Sequence, residues 1–241
     1  MRIDTVLLER ASAGARSRPL LRLYSWDRPS LSVGAHQRLS EELAARCASS
    51  GVPMVRRPSG GTAVLHAGDL TYAVVAPTLG MGVLEAYRSV AAGLLEGLRL
   101  LGIEACVGSR RGRSAPALDE RSLCFATTAG ADLSVAGAKI CGSAQVRRRD
   151  WFLQHGSIPL SDPRPLARSL LRFAGSDTST CVDRIRPGTS WEQLAGSLAS
   201  GFQNLWGAAA VVSLQEMLGR AGEGGNPSGS GGCLPKPLVT L

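Results

Sequence analysis

A single lysine stands in the middle of a chain whose other basic residues, outside the C-terminal tail, are all arginine. Of the 27 lysines and arginines, only Lys139 and Lys236 are lysine. Lysine is a compact charge whose pKa shifts readily on burial, whereas arginine is a wide fork that stays protonated. A lysine kept where arginine is the rule indicates a functional group, and chance survival is the alternative interpretation.

The lysine lies in a run of small residues, GAKICGSAQ at positions 137–145. Small neighbours on a strand leave room for a narrow ligand channel, in which Lys139 would be the charged group. Cys141 follows two residues later, and side chains at i and i+2 of a strand share one face. Because a nearby cation stabilises a thiolate, this spacing makes Cys141 one candidate nucleophile.

Two arginines precede a pair of glycines in RRPSGGTAVLH at positions 56–66. Adjacent glycines allow close backbone approach, and their amides can cradle an anion or a carbonyl oxygen. Arg56 and Arg57 would add charge for a phosphate. An ordinary turn is the alternative interpretation of this motif.

The three histidines, His36, His66 and His155, all lie beside glycine or in glycine-rich segments, although single histidines are more often structural.

Both strands and helices must position these residues. β-forming runs predict strands at residues 20–24, 31–34, 52–56, 70–76, 131–135, 138–146 and 151–160. The strands at 131–135 and 138–146 are expected to form a hairpin around Ala136 and Gly137. Helices are predicted at 3–9, from Ser40, at 83–101, from a capping box at 189–192 to about 204, and after Ser213. This order predicts an α+β fold with a mixed, mostly antiparallel sheet flanked by helices.

The bulk composition bounds the class of protein. The 241 residues fit one domain over 1–221, followed by a flexible tail over 222–241. The sequence shows neither a membrane span nor a signal peptide, so a cytoplasmic location is expected. The sequence contains no C-x-x-C pair, so a metal site is not expected. The net charge of +8 favours acidic partners, while the 5% aromatic content and the lack of a recognition helix argue against nucleic acid.

Four motifs in order carry a family resemblance. SVGAHQ at 32–37, RRPSGG at 56–61, GAKICGSAQ at 137–145 and LQHGSI at 153–158 together resemble the lipoate ligase and octanoyltransferase branch of the biotin/lipoate protein ligase superfamily. The similarity covers about residues 19–160. It implies the superfamily's catalytic-domain fold. It also implies substrate contacts at Arg57, Ser59, Gly60, Gly61, Thr62, His66, Gly142, Ser143, Ala144, His155 and Gly156.

Two positions favour the transferases of this branch. The ATP-dependent ligases resemble one another in having a third glycine in the glycine-rich motif. This chain has Thr62 there, and its side chain would crowd a phosphate. Cysteine-dependent octanoyltransferases of the LipM type have a nucleophile in a Ser-x-Cys-Phe segment, which resembles Ser122 to Phe125 here. The resemblance therefore implies catalysis by Cys124 and Lys139, and it favours Cys124 over Cys141.

The activity implied is octanoyl transfer from acyl carrier protein, through a cysteine thioester, to a lysine of a lipoyl domain or of glycine-cleavage H protein. No cofactor is expected, and the protein is expected to be a monomer. Two alternatives stay open: an ATP-dependent lipoate ligase, which would require ATP and magnesium, and a non-catalytic protein that binds an acyl group or its carrier. The chain departs from the family in a shortened first helix, and it lacks the separate C-terminal domain of full-length ligases, which again favours a transferase.

Overall fold

The computed structural model describes residues 1–15, 18–108, 132–171, 179–207, 210–212 and 238–240. Cys124 lies outside these ranges, and so do residues 109–122 of the predicted loop, the helix predicted after Ser213 and most of the predicted tail. In the described parts of the chain, no helix is both long and apolar enough to cross a membrane.

Strands and helices are interspersed along the chain. The helices are α1 (Arg2–Arg10), α2 (Glu41–Ser49), α3 (Val83–Leu100), α4 (Arg164–Leu171), α5 (Val182–Ile185) and α6 (Trp191–Trp206). The strands are β1 (Leu20–Tyr24), β2 (Ser30–Val33), β3 (Met54–Arg56), β4 (Val64–His66), β5 (Asp69–Pro77), β6 (Cys106–Val107), β7 (Leu133–Val135), β8 (Ala138–Arg148), β9 (Trp151–Pro159), β10 (Ala210–Val212) and β11 (Leu238–Thr240).

The main sheet has six strands in the order β1-β5-β9-β8-β7-β6, and all neighbours in it are antiparallel. A second sheet has the order β3-β2-β4, in which β2 is parallel to β3 and antiparallel to β4. Strands β10 and β11 form a further antiparallel pair. The mixed, mostly antiparallel arrangement with flanking helices confirms the predicted α+β class.

The hairpin between β7 and β8 forms where it was predicted. Its two turn residues, Ala136 and Gly137, have φ values of 48° and 82°. Positive φ at both central residues is the signature of the turn type whose twist matches that of the flanking strands. The hairpin carries Lys139 on its second strand, close to the turn.

Helices α3 and α6 cover one face of the main sheet through an apolar core that includes Tyr72, Val74, Leu94 and Phe202. The other face packs against α1 through Leu7, Leu8, Leu20, Ala73 and Leu153. A separate apolar cluster joins the small sheet to α2 and α4, and it includes Leu31, Leu43, Leu65 and Leu170. The two sheets therefore have distinct cores.

Helix starts show how far local sequence rules reach. Ser40 caps α2 as predicted, because its hydroxyl accepts a hydrogen bond from the Leu43 amide at 3.1 Å. The capping box predicted at Thr189 and Glu192 is wrong by one residue. Ser190 and Gln193 form it instead. The Thr189 hydroxyl instead donates to the carbonyl of Arg186 at 2.8 Å, in the segment before the helix.

Four strands, β4, β6, β10 and β11, lie where none was predicted. Strand β4 lies inside the glycine-rich stretch, which has the composition of a loop, and its pairing with β2 decides its conformation. Strand β11, at Leu238–Thr240, lies within the segment predicted as a flexible tail and pairs with β10. Both depend on a partner strand that is distant in sequence.

Candidate active site

Lys139 is buried at the start of β8, where 1% of its side chain is exposed. Its Nζ lies 2.7 Å from Oδ2 of Asp132, whose side chain is 2% exposed. Asp132 directly precedes β7 and reaches Lys139 across the hairpin. The ammonium is thus held in a charge-assisted hydrogen bond inside the protein, which is the kind of placement that functional lysines have.

An open cleft lies between the main sheet and the small sheet, with about 330 Å³ of empty space. Seven of the residues expected to contact substrate line the cleft: Arg57, His66, Gly142, Ser143, Ala144, His155 and Gly156. Its wall also includes Met1, Ser32, Val64, Thr71 and Ser157, which the sequence analysis did not select.

Glycine at position 156 has a steric reason. A Cβ atom there would collide with the Gly142 carbonyl oxygen of β8 and would lie 2.6 Å from the Tyr72 ring of β5. The three strands therefore approach one another closely at the cleft wall. Ser143 adds a polar contact at the same place, since its hydroxyl lies 2.7 Å from that of Tyr72.

Ser59, Gly60, Gly61 and Thr62 form the loop beside the cleft and are not part of its wall. The buried guanidinium of Arg57 organises this loop by donating to the carbonyls of Gly60 at 2.9 Å and Thr62 at 2.7 Å. A Cβ atom on Gly34, in the first motif, would collide with the Gly61 carbonyl oxygen. The first two motifs are therefore parts of one packed unit.

The other arginine of the motif also bonds to backbone carbonyls. Arg56 donates through Nη1 to the carbonyls of Gly34 at 2.7 Å and Gln37 at 3.0 Å. These bonds tie the end of β3 to the segment after β2. In the described structure, both arginines thus hold loops in place, and the anion-binding role that the sequence suggested stays a prediction.

His66 lies between two polar side chains at the cleft wall. Its Nδ1 is 2.8 Å from Oδ2 of Asp69, and its Nε2 is 2.8 Å from Oγ of Ser32. The indole of Trp26 stacks on the imidazole with ring centroids 4.2 Å apart. Burial alone would raise the pKa of Asp69, but His66, Ser157 and Thr71 outweigh it and lower that pKa. Asp69 is therefore an anion that orients the His66 ring.

His155 is buried at the opposite wall and makes a hydrogen bond through Nε2 to Oγ of Ser59 at 2.5 Å. Its Nδ1 lies 3.6 Å from Asp4 Oδ2, which is beyond hydrogen-bonding distance. Burial lowers the pKa of His155 and favours the neutral ring. Burial opposes charge on Asp4 as well, yet His155 and Arg22 outweigh it and lower the pKa of Asp4 to about 2.

Of the two candidate nucleophiles, the structure describes only Cys141. Cys141 is fully buried in the apolar core that also contains Tyr72, and its Sγ lies 3.9 Å from Ser143 Oγ. Cys124 lies outside the described residues. The roles of Cys124 and Lys139 thus stay predictions from the resemblance. Among the described residues, no group of histidine, cysteine, aspartate or glutamate side chains is placed to hold a metal ion.

Sequence reasoning missed the aspartates of this region. Asp69 bonds to His66 of the cleft wall, Asp132 bonds to Lys139, and Asp4 pairs with Arg22 and lies 3.6 Å from His155; each of the three is buried. Their signal in the sequence is weak, because an isolated aspartate is usually a surface or turn residue. Only the burial of an aspartate next to a cation or an imidazole marks it as part of a site.

Comparisons with known proteins give one consistent result. Residues 1–187 match the family model of the lipoyl protein ligase A/B catalytic domain. The chain is 39% identical over 203 residues to octanoyltransferase LipM of Carboxydothermus hydrogenoformans, covering 82% of this chain and 72% of that protein. It is 35% identical over 228 residues to octanoyltransferase LipM of Symbiobacterium thermophilum, covering 85% and 82%.

Solved structures share the fold. A putative lipoate protein ligase from T. acidophilum with bound lipoic acid superposes with a TM-score of 0.69 at 22% identity, covering 86% of this chain and 81% of that one. A lipoate-protein ligase A bound with ATP gives a TM-score of 0.67 at 21% identity, covering 90% and 87%. At these identities the likeness is one of fold.

Proposed function

The chain belongs to the lipoyl protein ligase A/B catalytic domain family, and from this we propose that it is an octanoyltransferase of protein lipoylation that works through an acyl-cysteine. The relatives with 35% and 39% identity that cover most of the chain are octanoyltransferases. The donor proposed is octanoyl acyl carrier protein. The acceptor proposed is a lysine of a lipoyl domain or of glycine-cleavage H protein.

The proposed reaction has two steps. The thiolate of Cys124 attacks the thioester carbonyl of the donor, the carrier's carbon–sulfur bond breaks, and the carrier leaves as a thiol after taking up a proton. The acceptor amine then attacks the acyl-cysteine, an amide forms, and Cys124 leaves and regains a proton. Lys139 supplies the positive charge that favours the thiolate and carries protons in both steps.

The observation that carries this proposal is the placement of Lys139. Its ammonium is buried on the same strand as Gly142, Ser143 and Ala144, which line the cleft. An acyl chain lying in the cleft would therefore have its reactive end within reach of the segment that begins with Lys139. A lysine buried on the strand that lines the cleft is placed for such acid–base chemistry.

The decisive experiment compares two donors. Purified protein with a lipoyl domain receives either octanoyl acyl carrier protein or free octanoate with ATP and magnesium, and mass spectrometry follows the acceptor and the enzyme. The proposal expects transfer from the carrier alone. Transfer that requires ATP would establish the ligase alternative, and tight binding of the carrier with no turnover would establish the non-catalytic one.

Two cysteine variants identify the nucleophile. Cys124→Ser is expected to abolish the octanoyl adduct on the enzyme, while Cys141→Ser keeps it. The reverse result would transfer the role to Cys141.

A further inference from the structure

We propose that Asp132 is a positioning residue for acyl transfer, one that holds the Lys139 ammonium in place through their buried ion pair. This inference rests on the proposed function, in which Lys139 serves Cys124. The role belongs to the carboxylate, which acts through the lysine.

The ion pair fixes the position of the Lys139 nitrogen. The Nζ–Oδ2 distance is 2.7 Å, and both side chains are almost completely buried. A lysine has a flexible four-carbon stem, so burial alone does not determine where its nitrogen lies. One carboxylate at charge-assisted hydrogen-bonding distance gives that nitrogen a defined position and compensates its charge.

Asp132 is itself held rigidly. Its backbone carbonyl accepts a hydrogen bond from the Gly108 amide at 2.7 Å, and Oδ1 lies 3.4 Å from the Ser143 amide. Ser143 belongs to the cleft wall. The carboxylate therefore connects the ammonium with the wall against which the acyl group would lie.

The backbone around Lys139 is fixed from two sides. Strand β7 pairs with β8 with a register shift between Leu133 and Ser134, and bulges of this kind re-aim the side chains beside them. On the other side, the Thr180 amide donates to the Lys139 carbonyl at 2.8 Å. With its main chain and its head group both held, Lys139 can present its protons in one direction.

The chemistry uses this arrangement twice. When Cys124 attacks the thioester, the fixed ammonium stabilises the thiolate and gives a proton to the departing carrier sulfur. In the second step, the proton that the acceptor amine loses is the proton that the Cys124 sulfur gains, with Lys139 as its carrier. Asp132 stays an anion throughout and exchanges no atoms with the substrates.

The test uses the full-length enzyme and the variants Asp132→Asn, Asp132→Glu, Lys139→Ala and the double variant Asp132→Asn with Lys139→Ala. The first readout is the rate at which iodoacetamide alkylates Cys124 at neutral pH, followed by peptide mass spectrometry. The second is kcat and KM for transfer from octanoyl acyl carrier protein to a lipoyl domain. Asp162→Asn is the matched control, since Asp162 pairs with Arg164 and Arg184 away from the cleft.

The expected result is a loss of about a hundredfold in kcat for Asp132→Asn with little change in KM, the scale of ~1 Å misplacement of a reacting group. Alkylation of Cys124 should slow by about tenfold, and the double variant should be no slower than Lys139→Ala. Asp132→Glu keeps the charge and should recover part of the rate, and Asp162→Asn should match the wild type.

Wild-type kcat and alkylation in Asp132→Asn would overturn the inference, as would a double variant in which the two losses add fully. If Asp132→Asn does not fold, Asp132→Glu decides: an unchanged kcat contradicts the role, and a reduced kcat at unchanged KM supports it. A wild-type enzyme that accepts no octanoyl group would refute the proposed function, while the alkylation rates would still decide the role of Asp132.

Discussion

Lys139 is buried beside a carboxylate. Its side chain is 1% exposed, Asp132 lies 2.7 Å from its nitrogen, and the small residues Gly137 and Ala138 precede it in the sequence. An arginine at this position would bring a wider, planar head group, and it could not release a proton at any working pH. The residue therefore has two separate reasons to be lysine.

Lys139→Arg is expected to lose at least about a hundredfold in activity, the scale of removing a positioned proton-transfer group. Single-turnover mass spectrometry of acyl-Cys124 formation and of transfer to the lipoyl domain would measure it. The exposed Arg88 allows a matched control, Arg88→Lys, which should keep the wild-type rate. A Lys139→Arg enzyme with a near-normal rate would show that charge alone suffices.

His155 makes the protein's stability depend on pH. Burial lowers its pKa in the folded state, with Arg57 adding to the effect and Asp4 opposing it. Unfolded histidine titrates near pH ~6.5, so the unfolded chain binds this proton first as the pH falls. The stability that the neutral ring provides is therefore complete above about pH 6.5 and decreases below it.

The variant His155→Gln removes this titration while keeping hydrogen-bonding groups at the site. Its free energy of unfolding should change less between pH 7.5 and pH 5.5 than that of the wild type. Denaturant titrations of both proteins at the two pH values would measure the difference. Equal changes in the two proteins would mean that other groups cause the acid sensitivity.

At the scale of elements, helices α3 and α6 pack closely against each other through glycines. A Cβ atom on Gly201 would collide with the Gly97 amide and lie 2.6 Å from the Gly93 carbonyl oxygen. A Cβ atom on Gly93 would lie 2.6 Å from the ring of Phe202. Backbone in direct contact cannot move aside as a flexible side chain can, so these positions determine how near the helices lie to each other.

Gly201→Val is expected to destabilise the fold by at least about 1–3 kcal/mol, the usual cost of overpacking a core. The chain offers a control in the same helix, because a Cβ atom on Gly196 would meet nothing within 4 Å. Gly196→Ala should be neutral or stabilise by up to ~1 kcal/mol through the better helix propensity of alanine. Thermal and denaturant unfolding of both variants would check the pair of values, and similar stabilities would contradict the packing.

For the whole molecule, the net charge of +8 matters for association with other proteins. Acidic carrier domains would be attracted at long range, and salt screens such attraction over a Debye length of ~10 Å at 0.1 M. The KM for the carrier donor should therefore rise with ionic strength, while kcat changes little. A neutral small-molecule octanoyl thioester serves as the control, since its KM should not depend on salt. Equal salt dependence for both donors would exclude steering by charge.

Family membership and octanoyl transfer are confirmed at the scale of the whole chain. The resemblance carried by four motifs agrees with the family model over residues 1–187 and with the octanoyltransferase relatives. The prediction of an acyltransferase is thereby confirmed. The carrier donor, the cysteine thioester and the identity of the acceptor belong to the proposed function.

Local features of the sequence were sufficient for most elements. The Ala136–Gly137 turn, the Ser40 cap and the long helix that starts at Val83 follow from turn chemistry, capping and periodicity within a few residues. Composition alone selected Lys139. These features are local, since each depends on the conformation of a short segment, and short segments carry that information in their own side chains.

The tertiary structure decided which side chains became partners. Asp69 bonds to Ser157 across β5 and β9, and Ser32 bonds to His66 across β2 and β4. Asp132 meets Lys139 across a hairpin that has a register shift, and no spacing rule predicts that shift. Pairings of this kind require the register of strands and the packing of two sheets against each other, and these are set by burial over the whole chain.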